Sequence, residues 1–146
     1  MTLVILKGVS FGTALFYGAY RDIRTREIPD AVPLILFATG FIGFSPLFSL
    51  TGLLITGLPF LTAALRSNNG MGGGDIKLMA ACGFVLGAWG GILQTILGLT
   101  LALLFMLARA KIKGKKLERK DQIPLAPFLG AGGILSYLIT FMGGSI

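Results

Sequence analysis

Gly70-Met71-Gly72-Gly73-Gly74-Asp75-Ile76-Lys77-Leu78 sets one carboxylate between a glycine run and an apolar stretch. Reading outward, an apolar run over 49–65 ends before it and another, 76–88, begins after it. An aspartate at the edge of a membrane segment is costly to hold ionised, so it is a functional-site candidate by default. A second carboxylate occupies a matching position. Asp22 closes the first apolar run, in Tyr20-Arg21-Asp22-Ile23-Arg24-Thr25-Arg26-Glu27-Ile28-Pro29-Asp30. If folding joins the two segment ends, the pair is the minimum equipment for metal-free acid–base hydrolysis.

The rest of the chain reads as membrane. Of its 146 residues 54% are hydrophobic and 13% charged, about half the charge of an average soluble domain, and the mean hydropathy is +0.84. Apolar runs set against breakers give segments near 2–20, 31–44, 49–65, 76–88, 90–109 and 124–142. A helix of about 20 residues crosses a hydrocarbon core of about 30 Å, so the second and fourth runs are short. The predicted fold is all-α: a polytopic bundle of about six transmembrane helices, two of them short, in one domain over 1–146. Residues 1–20 are read as the first span rather than a cleaved leader, because Arg21, Arg24 and Arg26 follow at once.

Charge orients the bundle. Twelve of the 13 Lys and Arg residues fall on the first, third and fifth loops or beside them, Lys7 being the exception, and all six acids lie on the same side. Lys and Arg mark cytoplasmic loops, which predicts a multi-pass plasma-membrane protein with both termini outside and Asp22 and Asp75 at the cytoplasmic face. The net charge of +7 is thereby assigned to topology and not to nucleic acid, since the basic residues form no groove or stacking surface. The basic loop 110–123 is expected to lie near anionic lipid headgroups. Gly8/Gly12 and Gly83/Gly87 have the four-residue spacing that lets membrane helices approach closely.

The residue inventory narrows the chemistry further. Histidine is absent and Cys82 is the single cysteine, which removes the serine–histidine–aspartate triad, the cysteine–histidine dyad and the His-Glu-x-x-His zinc site. No metal or cofactor is expected. A phosphate cradle fails as well, because Gly74 is followed by Asp75 where a P-loop requires lysine and a hydroxyl. On spacing alone Asp75 can be a helix N-cap, and Asp22 an interfacial charge paired with Arg26 one turn along. Taken together, two neighbouring carboxyls cannot both ionise cheaply and share a proton near neutral pH. Lys77 can act on the Asp75 carboxyl or simply snorkel to the interface.

The stretch from Tyr20 to Asp30 resembles the first motif of the prepilin leader peptidases, an Asp followed by a basic loop and Ile/Leu-Pro-Asn/Asp. Gly72-Gly73-Gly74-Asp75-Ile76-Lys77-Leu78 is similar to their second motif, Gly-x-Gly-Asp followed by x-Lys-Leu. Ile123-Pro124-Leu125-Ala126-Pro127-Phe128-Leu129-Gly130 resembles the start of their last helix. The three motifs stand in family order over most of the chain. The resemblance implies an intramembrane aspartyl endopeptidase that removes the basic leader of type IV prepilin-like or preflagellin-like precursors at the cytoplasmic face. It places Asp22 and Asp75 at the catalytic positions. Gly72 and Gly74 become the glycines that let backbone approach substrate, and Arg26, Pro29, Asp30 and Lys77 are motif residues without an assigned step. Longer members carry a Cys-x-x-Cys insertion and N-methylate the new terminus; this chain lacks those cysteines, so it resembles the short, peptidase-only form. Two rival readings compete: a small proton- or ion-coupled transporter using the same aspartates, and a scaffold that binds anionic lipid through its basic loop.

Overall fold

A computed structural model describes residues 1–67, 72–114 and 123–142. Five helices follow in chain order: α1 (Thr2–Thr25), α2 (Ala31–Gly40), α3 (Pro46–Arg66), α4 (Gly73–Lys113) and α5 (Ala126–Tyr137). A π-helical turn, Leu138–Met142, continues α5. There is no strand among the described residues. By length and composition α1, α3 and α4 are each long and apolar enough to cross a membrane, while α2 and the Ala126–Phe141 segment are shorter and apolar.

The boundaries have local causes. Pro29 precedes α2, and Pro46, whose missing N–H costs nothing in a first turn, opens α3. Helix α1 runs five residues beyond its apolar run and stops where Arg26 turns left-handed, at φ 55°. The Arg26 N–H then donates to the Asp22 carbonyl at 2.9 Å. Asp22 therefore sits in the last turn of a rigid helix and not in a loop, which corrects the expected end of the first segment. The second segment likewise ends at Gly40 rather than residue 44.

The expected separation of 76–88 from 90–109 takes an unexpected form. Helical backbone continues through both, broken only at Gly87, whose φ 73° and ψ −179° are not helical. Eight residues of straight helix would part Gly83 from Gly91 by about 12 Å, yet a Cβ on Gly91 would stand 3.5 Å from the Gly83 Cα. The two arms of α4 therefore fold back on each other at Gly87, a conformation that L-residues with a Cβ rarely adopt.

Small residues set the packing. A Cβ on Gly83 would overlap the Gly52 carbonyl of α3, and beside them the buried Thr56 hydroxyl lies 2.9 Å from the Met79 carbonyl. Gly83 thus marks a real helix crossing, whereas Gly87 is the hinge. In the other glycine pair, Gly8 meets the Tyr137 ring and Gly12 meets nothing within 4 Å. Helix α5 closes the bundle against α1 and the second arm of α4. The Tyr137 hydroxyl donates to the Val4 carbonyl at 2.6 Å, and the buried Gln94 amide donates to the Leu129 carbonyl at 3.0 Å.

Candidate active site

The free end of α1 and the start of α4 meet at one cleft. It has a volume of about 400 Å³ and is lined by Asp22 and Asp75, by Arg26, Pro29 and Asp30 from the α1–α2 loop, and by Gly72, Gly73 and Gly74. Seven of the eight residues singled out in the sequence line it, and Lys77 does not. Residues 53 positions apart, Asp22 and Asp75, are thus brought to one cavity by the packing of α1 and α4 around α2 and α5.

Asp22 is 7% exposed and held from behind. The backbone N–H of Ala126, in the first turn of α5, donates to its Oδ2 at 2.9 Å. First-turn amides have no partner within their own helix, so Pro124-Leu125-Ala126-Pro127 supplies a free donor aimed at the carboxylate. One Asp22 oxygen is thereby fixed. Among the described residues no ion pair joins the Asp22 and Arg26 side chains, and the bond between the two residues is backbone to backbone.

Asp75 is half-buried and is not the helix N-cap, because Gly72 occupies that position. It is the third helical residue, with its N–H donating to the Gly72 carbonyl at 3.1 Å. No side-chain capping bond forms at this helix start, so capping does not occupy the Asp75 carboxyl. A Cβ on Gly74 would come within 3.0 Å of the Ile28 Cβ. Glycine there lets the α4 start press against the α1–α2 loop, and this contact keeps the cleft narrow.

Lys77 has a different partner from the one the sequence suggested. Its ammonium lies 2.6 Å from Asp30 Oδ1, both side chains being largely exposed. Asp30 also stands at the N-cap of α2, so the ion pair ties the starts of α2 and α4 together at the cleft rim. Arg21, Glu27 and Ile28 line the cleft too. They belong to the same stretch, Tyr20 to Asp30, but were not among the expected site residues. Their signal was proximity to Asp22: a helix end and a five-residue loop cannot contribute one side chain without its neighbours. The Arg21 Nε is buried with no hydrogen-bond partner among the described residues.

The donor set suits acid–base work by carboxyls. Among the described residues no three of His, Cys, Asp and Glu converge as a metal-binding group would require, and Cys82 is buried in the core, away from this cleft.

The sequence pattern of the type IV leader peptidase family matches residues 9–108, an interval that contains both aspartates and the whole cleft lining. A Bacillus subtilis protein named prepilin leader peptidase/N-methyltransferase is 32% identical over 94% of this chain and 57% of its own length. A Xanthomonas campestris protein of the same name is 26% identical over 86% of this chain and 46% of its own length. The chain thus spans about half the length of these curated relatives. No solved structure matches it. With two-thirds of its residues inside the family pattern, the chain belongs to the type IV leader peptidase family.

Proposed function

We propose that this protein is an intramembrane aspartyl endopeptidase that cuts the leader from type IV prepilin-like or preflagellin-like precursors. The observation that carries the reading is the convergence of Asp22 and Asp75 on one polar cleft at the end of an apolar bundle. In this reaction one carboxyl of the pair is ionised and the other carries a proton. The ionised partner takes a proton from a cleft water while the protonated partner hydrogen-bonds the scissile carbonyl. Water oxygen adds to the carbonyl carbon, the C–N bond of the resulting tetrahedral species breaks, and the leaving nitrogen takes a proton from the pair. The Ala126 N–H keeps the Asp22 carboxyl oriented throughout.

In the membrane, α1, α2, α3, the two arms of α4 and α5 make six passes, of which α2, the first arm of α4 and α5 are short. The α1–α2 loop, with Arg26, and the end of α3, with Arg66, face the cytoplasm by the positive-inside rule. Arg109, Lys111 and Lys113 are exposed at the end of α4 and meet anionic headgroups on that side. Lys115, Lys116, Arg119 and Lys120 of the same basic loop lie outside the described residues.

A precursor fits this orientation when its basic leader stays in the cytoplasm and its apolar helix enters the bilayer, with the scissile bond at the junction. The cleft beside Gly72 and Gly74 favours a small residue, glycine above all, before that bond. The test is incubation of the purified protein in detergent with a prepilin-like precursor, followed by product mass. A single cut after the junction glycine is expected, and it should be lost when that glycine is replaced by tryptophan. Equal cutting of the tryptophan precursor removes the narrow-cleft assignment; no cutting of any such precursor removes the peptidase reading.

A further inference from the structure

An apolar groove runs along the seam between α1 and α5, and its near end lies beside the catalytic cleft, Tyr20 and Ile23 bracketing the cleft residues Arg21 and Asp22 on α1. Near the cleft it is lined by Tyr20, Ile23, Pro127 and Gly130 in a cavity of about 340 Å³. Towards the far end it is lined by Val4, Gly8, Gly12 and Tyr137 in a cavity of about 310 Å³. Phe16 and Ile134 belong to both cavities, so the two form one path. From Val4 to Ile23 the path follows 19 residues of α1, about 28 Å of helix rise, which matches the hydrocarbon thickness of about 30 Å.

The geometry points to this groove as the docking surface for the apolar helix of the precursor, the segment immediately after the scissile bond. The inference rests on the peptidase reading and adds where the substrate lies in the bilayer. Adjacency to the cleft carries it. Tyr20 and Ile23 flank Asp22 on α1, and Pro127 follows Ala126, whose N–H holds the Asp22 carboxylate. A helix lying in the groove would therefore present its cytoplasmic end to the two aspartates without leaving the membrane.

The shape suits a helix in lipid. Transmembrane helices associate where small residues admit close backbone approach, and a Cβ added at Gly12 would meet no atom within 4 Å. Gly130, whose added Cβ would make only ordinary contact with Leu15, provides a second low point nearer the cleft. The rim is prominent: Phe16 is 76% exposed and Ile5 54%. Among the described residues no charged side chain lines either cavity, which fits an uninterrupted apolar helix better than the basic leader.

Photo-cross-linking in proteoliposomes tests the assignment. Benzoylphenylalanine is placed singly at Ile5, Phe16 or Leu138 on the groove, and at Leu50 or Leu54 on the exposed surface of α3. A tagged prepilin-like precursor is then added, and cleavage is followed in the same reaction. Precursor adducts from the groove positions and none from α3 are expected. As a second measurement, Gly12→Trp should raise the KM for the precursor at least tenfold while kcat changes little, and Leu54→Trp should change neither. Cleavage accompanied by adducts confined to α3, or equal on both faces, or absent from both, overturns the groove and leaves the peptidase standing. Adducts between two copies of this chain without precursor, or to lipid acyl chains alone while cleavage proceeds, also overturn it. A wild-type protein that cuts no precursor removes the underlying reading and the groove with it.

Discussion

Asp22 and Asp75 differ in how they are held, and that difference predicts how each substitution behaves. Asp22 is buried and receives the Ala126 N–H; Asp75 stands half-buried on the first turn of α4. Asn at either position preserves shape but cannot cycle a proton, so Asp22→Asn and Asp75→Asn should each lower cleavage by about 10²–10⁴-fold, the usual scale of acid–base assistance. The double variant should be little worse than either single one, because members of a working pair are not additive. Initial rates on a precursor check this, and near-normal turnover by either single variant would take that aspartate out of the reaction. Arg26 offers a separate measurement. It is the one non-glycine residue with positive φ among those described, a conformation that costs a side-chain-bearing residue about 1–2 kcal/mol. Arg26→Gly should therefore raise the melting temperature in detergent by a few degrees, and a fall in cleavage alongside it would assign the side chain a part in binding. The Lys77–Asp30 pair is largely exposed, so Lys77→Ala should cost no more than about 1 kcal/mol.

At the scale of elements, glycines decide which helices touch. Gly83→Leu would drive a side chain into the Gly52 backbone, where nothing flexible can yield. Overpacking of this kind commonly costs about 1–3 kcal/mol and more where backbone must move. Gly12→Leu faces open space and should leave thermal stability within about 1 kcal/mol of wild type. Thermal melts of the two variants in one detergent make the comparison, and equal melting would mean that the α3–α4 crossing is looser than described. Gly87 is more severe still. Its backbone conformation is essentially reserved for glycine, and any Cβ would also strike the Phe48 ring. Gly87→Ala should therefore destabilise the hairpin between the arms of α4 more than an alanine at Gly12 does.

For the whole molecule, the proposed topology, in which the basic loops are cytoplasmic, puts the connection near Ser45 and the hinge at Gly87 on the outer side. Ser45→Cys should react with a membrane-impermeant maleimide from the outside of intact cells, and Ser67→Cys only after the membrane is opened. Cys82 is fully buried and gives a silent background. The reverse labelling pattern would invert the topology and place the cleft on the wrong side for a cytoplasmic leader. Chelator should leave cleavage by the purified protein unchanged, since the sequence contains no histidine and a single cysteine. Inhibition reversed by one added metal would count against two carboxyls and a water.

Much of this was present in the chain before folding. Hydropathy made the molecule helical and membrane-bound, because backbone polar groups in lipid must be satisfied within the helix. Its loop charges predict an orientation, and the lack of histidine left carboxyls as the candidate acid and base. Asp22, Asp75 and their motif neighbours stood out as candidates because few charges sit among so many apolar residues. Tertiary structure decided what depends on contacts between distant segments. Only packing could turn α1 so that Asp22 reaches the Ala126 N–H, 104 positions away, or give Lys77 to Asp30 when Asp75 was the nearer acid in sequence. Only packing, too, could separate the glycine at a helix crossing, Gly83, from the hinge four residues later, Gly87. The physical reason is the same in each case: polarity and propensity are properties of a residue and its neighbours, whereas a hydrogen bond or a close backbone approach belongs to two segments and exists only once both are in place.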